Sequence, residues 1–138
     1  LREGPCRVFP SDLKIHVPAL DVFTYPDVSV VCGELAYYAG TTDVVTNPVV
    51  LIEVLSDSTE RYDRGEKALG YRQIQSVPLL LFIPQHRPRI EIYSRRDDDA
   101  WVLREAGAGG SVALTSLGVE GVELRVDDVF RGALELPA

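Results

Sequence analysis

Three residues of this chain combine charge and placement in a way that points to chemistry: Asp27, Glu53 and Lys67. Asp27 follows Pro26 and leads into Val28-Ser29-Val30-Val31-Cys32, and Glu53 interrupts Val49-Val50-Leu51-Ile52 and Val54-Leu55. Both carboxylates therefore sit in strand-forming apolar runs, where an uncompensated negative charge is costly. Two of them, followed at a helix-length distance by Lys67, suggest a divalent metal with a lysine beside it. Phosphodiester hydrolysis needs a hard cation that polarises the phosphoryl oxygen and lowers the pKa of an attacking water. Magnesium, with manganese as a substitute, takes one or two carboxylates and keeps several waters. Asp27 and Glu53 are the candidate metal ligands, with the Val54 carbonyl as a third. Lys67 is placed to orient the nucleophile or to stabilise charge growing on the phosphate. Asp63, Lys67 and Tyr71 recur at i, i+4 and i+8, so Asp63 and Tyr71 are candidate supporting residues on one helix face.

Plainer roles exist for each. Asp27 after Pro26 suits a turn, and Asp63 with Lys67 suits an ordinary surface pair. Glu53 resists that treatment, because its neighbours on both sides are apolar. Ser56 and Ser58 read as helix caps rather than nucleophiles, with no histidine near them. His16 and His86 lie in ordinary strand and turn contexts, and scattered histidines and cysteines do not make a zinc site. Cys6 and Cys32 lack CxxC spacing and are expected as buried free thiols.

The elements that must position these residues are strands, one helix, then more strands. Arg7 to Phe9 and Leu13 to Val17 flank the Pro10-Ser11-Asp12 turn. Tyr25 to Cys32 and Pro48 to Leu55 are β-branched strands separated by a polar loop, Gly40 to Asn47. Ser56 to Thr59 supplies N-caps for a helix running to about Gln75, although Gly65 and Gly70 weaken it. Leu79 to Ile83 and Arg89 to Ser94 are strands, and Trp101 to Glu105, Ser111 to Leu114 and Val122 to Arg125 continue a meander. The glycines of Gly107 to Gly110 read as a hairpin tip, and Val126 to Phe130 as a final helical turn.

With 138 residues and 46% apolar content, the chain is expected to form a single domain, residues 1–138. No apolar run is long enough to span a bilayer as a helix and no signal segment opens the sequence, which predicts a cytoplasmic protein with no membrane partner. The net charge of −7 is unevenly spread. Residues 97–138 carry nine acids against three bases, whereas residues 61–96 carry eight bases against three acids. That basic stretch, including Arg61, Arg64, Arg72, Arg87 and Arg89, adjoins the candidate site, where it would attract phosphate. A solvated charged helix face explains it equally well.

The sequence Tyr25-Pro26-Asp27-Val28-Ser29-Val30-Val31, then Asn47 to Ser56, then Tyr62-Asp63-Arg64-Gly65-Glu66-Lys67 with Tyr71-Arg72, resembles the Uma-type restriction-endonuclease family, a branch of the PD-(D/E)XK nuclease superfamily. The similarity extends from Cys6 to Asp12 and through Ile90-Glu91-Ile92-Tyr93. The resemblance implies an α/β, restriction-endonuclease-like fold: a mixed central β-sheet flanked by helices, with a strand-rich C-terminal half. It also implies a magnesium site at Asp27 and Glu53, and a homodimer. The superfamily lysine would fall at Leu55, so Lys67 on the following helix is its substitute. Relatives carry an N-terminal helical segment ahead of the Cys6 region; with Leu1 in place of a start methionine, the chain is expected to lack that upstream segment.

The expected function is thus magnesium-dependent endonuclease hydrolysis of DNA. The alternative is a catalytically weak or inactive nuclease-fold module for DNA binding or dimerisation. A soluble interaction domain unrelated to nucleic acid is the third class, kept open by the acidic net charge.

Overall fold

The β-branched runs do form strands, and the turn residues between them decide which strands become neighbours. A computed structural model of the protein describes residues 6–58, 60–85, 87–113 and 123–127. In chain order its strands are β1 (Cys6–Phe9), β2 (Lys14–Val17), β3 (Val22–Thr24), β4 (Val28–Cys32), β5 (Val44–Val45) and β6 (Val50–Leu55). They continue with β7 (Leu79–Pro84), β8 (Ile90–Arg95), β9 (Trp101–Ala106), β10 (Ser111–Ala113) and β11 (Glu123–Arg125). Six strands make a central sheet in the order β1-β4-β6-β7-β8-β9. Only β6 and β7 run parallel within it, and the helical segment between them is the crossover that parallel pairing requires. The sheet is therefore mixed, as expected.

Alternation sorts side chains to two faces. Leu51, Leu55, Leu80 and Phe82 join Ile15, Val17, Ala68, Tyr71 and Ile74 in a core beneath the helical segment. Val50, Leu79, Leu81, Ile90 and Ile92 form a second core on the other face with Val112 and Val126. Glu53 stands in β6 between Leu51 and Leu55, so it points to the helix-covered face.

Flanking helices are expected; the described residues place one helical segment over one face, and on the other face only the helical residues Val126 and Asp127, with Val126 in the second core. The segment over the first face is also not uniform. A first turn, α1 (Glu60–Tyr62), passes into a π-helical turn, Asp63–Lys67, and then into α2 (Ala68–Arg72), ending short of Gln75. Gly65 lies inside the π turn with open space around it. Gly70 is a different matter. A Cβ there would lie 2.8 Å from both Leu20 and Val17 side chains, so glycine is what lets α2 press against the β2 region.

Four other expectations change. Cys6 and Cys32 are not free thiols: they are directly opposite one another in the β1–β4 ladder, 3.9 Å apart at Cα, and form a disulfide. The loop Gly40 to Asn47 contains β5, which pairs in parallel with β2 in a three-stranded sheet, β3-β2-β5. The strand expected from Tyr25 begins at Val28, leaving Asp27 just outside its end. Gly107 to Gly110 is a corner between sheets rather than a hairpin tip, because β9 belongs to the central sheet and, among the described residues, β10 pairs with β11 in a separate two-stranded sheet. Thr59, His86 and the final turn beyond residue 127 lie outside the described residues. No helix among the described residues is long and apolar enough to cross a membrane.

Candidate active site

Strand register brings the first two candidates together. Val28 pairs with Ile52 and Ser29 with Leu51, so the antiparallel ladder continued by one residue sets Asp27 opposite Glu53. Asp27 is held there by the Val54 amide, which donates to its Oδ2 at 2.7 Å. One strand end thus fixes a half-buried carboxylate beside a fully buried one.

Glu53 is only 3% exposed, and two groups from the helical segment reach it. Lys67 Nζ donates to Oε2 at 3.0 Å, and the Tyr71 hydroxyl donates to Oε1 at 3.0 Å. Lys67 ends the π turn and Tyr71 follows one α turn later, so both point at the sheet from the same face. Thr24 Oγ1 lies 3.5 Å from the Tyr71 hydroxyl and ties β3 to the same cluster. Burial pushes the Glu53 carboxyl up to about 7. Lys67 and Tyr71 pull it down, and the Asp27 charge adds to the rise. That is the signature of a carboxylate whose burial costs more than its lysine and tyrosine partners recover, and such groups concentrate at functional sites.

The donor set suits a hard cation. Asp27, Glu53 and the backbone at Val54 offer oxygen alone, and magnesium accepts such a set while keeping its remaining positions for water. Among the described residues no third His, Cys, Asp or Glu completes a metal-binding cluster.

Of the supporting residues, Tyr71 joins the site; the Asp63 side chain lies outside the described residues. His16 packs at a tilt against Phe23 and Tyr38, which also touch each other. Ser56 and Ser58 hydrogen-bond each other at 3.2 Å.

A second buried carboxylate is one that the sequence reading misses. Glu91 on β8 is 3% exposed and takes both terminal nitrogens of Arg64, a residue of the π turn, in a bidentate pair. Arg89 approaches Glu91 at 3.9 Å and Glu105 at 3.8 Å. A signal for it exists: Ile90-Glu91-Ile92 repeats the apolar–acid–apolar pattern that singles out Glu53. The expected basic lining shrinks accordingly. Arg64 and Arg89 face carboxylates, and Arg72 lies over the Tyr93 ring and bonds the Ala68 carbonyl. Arg61 and Arg87 remain exposed, Arg61 in an open depression of about 580 Å³ shared with Asp57, Arg64 and Gly65.

A family model described as "Uma2: Putative restriction endonuclease" matches residues 1–127. Two curated relatives come from Synechocystis sp. (strain ATCC 27184 / PCC 6803 / Kazusa). The uncharacterized protein slr1290 is 34% identical over 129 residues, 94% of this chain and 65% of the relative. The uncharacterized protein sll1609 is 34% identical over 99 residues, 72% of this chain and 56% of the relative. The chain thus spans less than two-thirds of either relative. A crystal structure titled as a putative nuclease belonging to DUF820, from Anabaena variabilis ATCC 29413, superposes with a TM-score of 0.74 at 16% identity. That match covers 95% of this chain and 71% of the other, and it establishes a shared fold.

Proposed function

This chain belongs to the Uma2 family, and on that premise we propose that it is a magnesium-dependent endonuclease domain hydrolysing DNA phosphodiester bonds at Asp27, Glu53 and Lys67. The observation that carries the proposal is the convergence of Lys67 on Glu53 from the helical segment, with Asp27 opposite. Leu55 occupies the usual lysine position of this nuclease type, and Lys67 brings the ammonium back to the glutamate from another element.

In this reading Asp27, Glu53 and the Val54 carbonyl would hold magnesium or manganese. A divalent ion there would supply Lewis-acid polarisation of the scissile phosphoryl group and a more acidic water. Lys67 contributes a cation that stabilises charge developing on the phosphate or orients the attacking water. Tyr71 fixes the Glu53 carboxylate through its hydroxyl, leaving Asp27 held by the Val54 amide. Exposed Arg61, at the depression beside the π turn, supplies phosphate attraction that the overall acidic chain lacks.

A second reading has its own observation. Both Glu53 oxygens already have donors, Lys67 and Tyr71, so the pocket is satisfied as it stands, as in an inactive nuclease-fold module. Calorimetric titration with manganese, combined with a cleavage assay on supercoiled plasmid, separates the two. Manganese binding that Asp27→Asn abolishes, together with nicking that requires the ion, supports the nuclease. A folded full-length protein that binds no manganese supports the module.

A further inference from the structure

Four residues form a row across one face of the sheet: Asp27 opposite Glu53, then Phe82, then Glu91. Glu53 pairs with Phe82 across β6–β7, and Phe82 pairs with Glu91 across β7–β8. Two buried carboxylates thus stand two strand spacings apart, roughly 9–10 Å, with an aromatic ring between them. The π turn lies above this row and reaches down twice, through Arg64 to Glu91 and through Lys67 to Glu53.

Resting on the proposed reading of Lys67, we infer that the Arg64–Glu91 pair is the positioning device for that lysine. The two contacts differ in kind. Arg64 presents a planar fork to both oxygens of Glu91, which fixes direction as well as distance. Lys67 ends in a point charge on a flexible stem, so its own contact to Glu53 does little to set where the backbone lies. Downstream the backbone is held by buried Ala68 and Tyr71; upstream, within the π turn, the directional anchor is Arg64, three residues away. The π geometry makes that anchor necessary. Relaxing the turn to α geometry removes one residue from it and rotates the downstream residues by about 100° relative to α1. Such a rotation would carry Lys67 off the row.

The pair also sorts charges. Lys67 has two buried carboxylates within the span of one turn, and Arg64 occupies Glu91, leaving Lys67 to Glu53. With Glu91 neutral, Arg64 loses its seat on β8 and competes with Lys67 for Glu53.

The test reads Lys67 directly and does not depend on nuclease activity. The sequence contains two lysines, Lys14 and Lys67. Lys14 is an internal standard: its side chain is 32% exposed, lies 4.0 Å from Asp43 and touches neither Glu53 nor Glu91 among the ion pairs of the described residues. The folded protein and its Glu91→Gln variant are treated with limiting amine-reactive ester, and modification of each lysine is quantified by peptide mass spectrometry. The proposal expects the Lys67-to-Lys14 rate ratio to rise several-fold in the variant, with Lys14 itself unchanged. A parallel thermal melt checks folding. Should Glu91→Gln fail to fold, Glu91→Met, which removes the buried charge but retains volume, takes its place. An unchanged ratio in a folded variant overturns the inference. Failure of both variants to fold overturns it too, because the pair would then be holding the domain together rather than aiming a lysine. Absence of manganese binding by the unsubstituted protein would sink the nuclease reading yet leave this ratio readable.

Discussion

Lys67 Nζ lies 3.0 Å from Glu53 Oε2 although the two residues are fourteen apart in sequence, one at the end of a π turn and the other in a buried strand. A single ammonium over a carboxylate that faces a second carboxylate leaves the cluster short of positive charge. That imbalance, and the packing that creates it, have measurable consequences.

Removing the ammonium should disable cleavage without unfolding the chain. Lys67→Ala is expected to lower the rate of DNA nicking by about 10²–10³-fold, the usual cost of deleting one preorganised electrostatic stabiliser. Lys67→Arg should recover only part of it, since a planar fork does not reproduce a point charge. Steady-state nicking rates, with circular dichroism to confirm folding, decide the matter; wild-type rates in Lys67→Ala would remove Lys67 from the mechanism.

Manganese affinity should depend on pH through Glu53. A cation competes with the proton on a carboxyl that burial raises to about 7, so affinity is expected to fall roughly tenfold per pH unit below that value. Asp27→Asn keeps an oxygen for the Val54 amide but removes the charge, and should abolish binding at any pH. Isothermal titration between pH 5.5 and 8 is the measurement. A pH-independent affinity would place the ion elsewhere.

Stability without divalent cations should decline as pH rises. The folded Glu53 holds its proton more tightly than the unfolded chain, about 7 against 4.5, so its contribution is complete below pH 4.5 and is lost as the pH passes through 7. Urea midpoints in EDTA at pH 5, 6, 7 and 8 should show this slope, and Glu53→Gln should flatten it. A slope that survives in Glu53→Gln belongs to another group.

The disulfide should matter to the edge of the sheet. Cys6–Cys32 clasps β1 to β4 across a separation of 26 residues, and reducing it is expected to cost about 2–4 kcal/mol. Denaturant midpoints with and without reductant, alongside a thiol count on the unfolded non-reduced chain, test both the bond and its value. Two free thiols in that count would refute the pairing.

The two helix glycines should respond in opposite directions. Gly70→Ala forces a methyl to within 2.8 Å of Val17 and Leu20, an overpacking cost of about 1–3 kcal/mol. Gly65→Ala meets open space and should be neutral or stabilising by up to about 1 kcal/mol. Equal effects on thermal midpoints would contradict the close approach of α2 to the β2 region.

Short-range pattern is the part of this protein that is legible in its sequence. A carboxylate flanked by apolar residues must be buried or compensated, and that rule marks Glu53 without any knowledge of the fold. Helical spacing likewise puts Lys67 and Tyr71 on one face, where both meet Glu53. The strands around Val28, Val50 and Leu79 are visible in their β-branched composition. Their ends are not, because Tyr25, Pro26 and Asp27 adjoin the apolar run without continuing the ladder.

Register is the part that sequence alone does not carry. Whether Cys6 meets Cys32, or Asp27 meets Glu53, depends on which strand pairs with which and at what offset, and that is decided by how both faces of the whole sheet bury their side chains at once. The Arg64–Glu91 pair has the same origin. In the sequence Arg64 reads as a cation for phosphate; only the placement of β8 two strands from β6 puts Glu91 beneath the π turn and gives Arg64 its carboxylate. The π turn itself is a tertiary outcome. Local spacing supports a plain α-helix, whereas in the fold the wider turn lies where Arg64 and Lys67 meet carboxylates on two different strands and Gly70 packs against Val17 and Leu20.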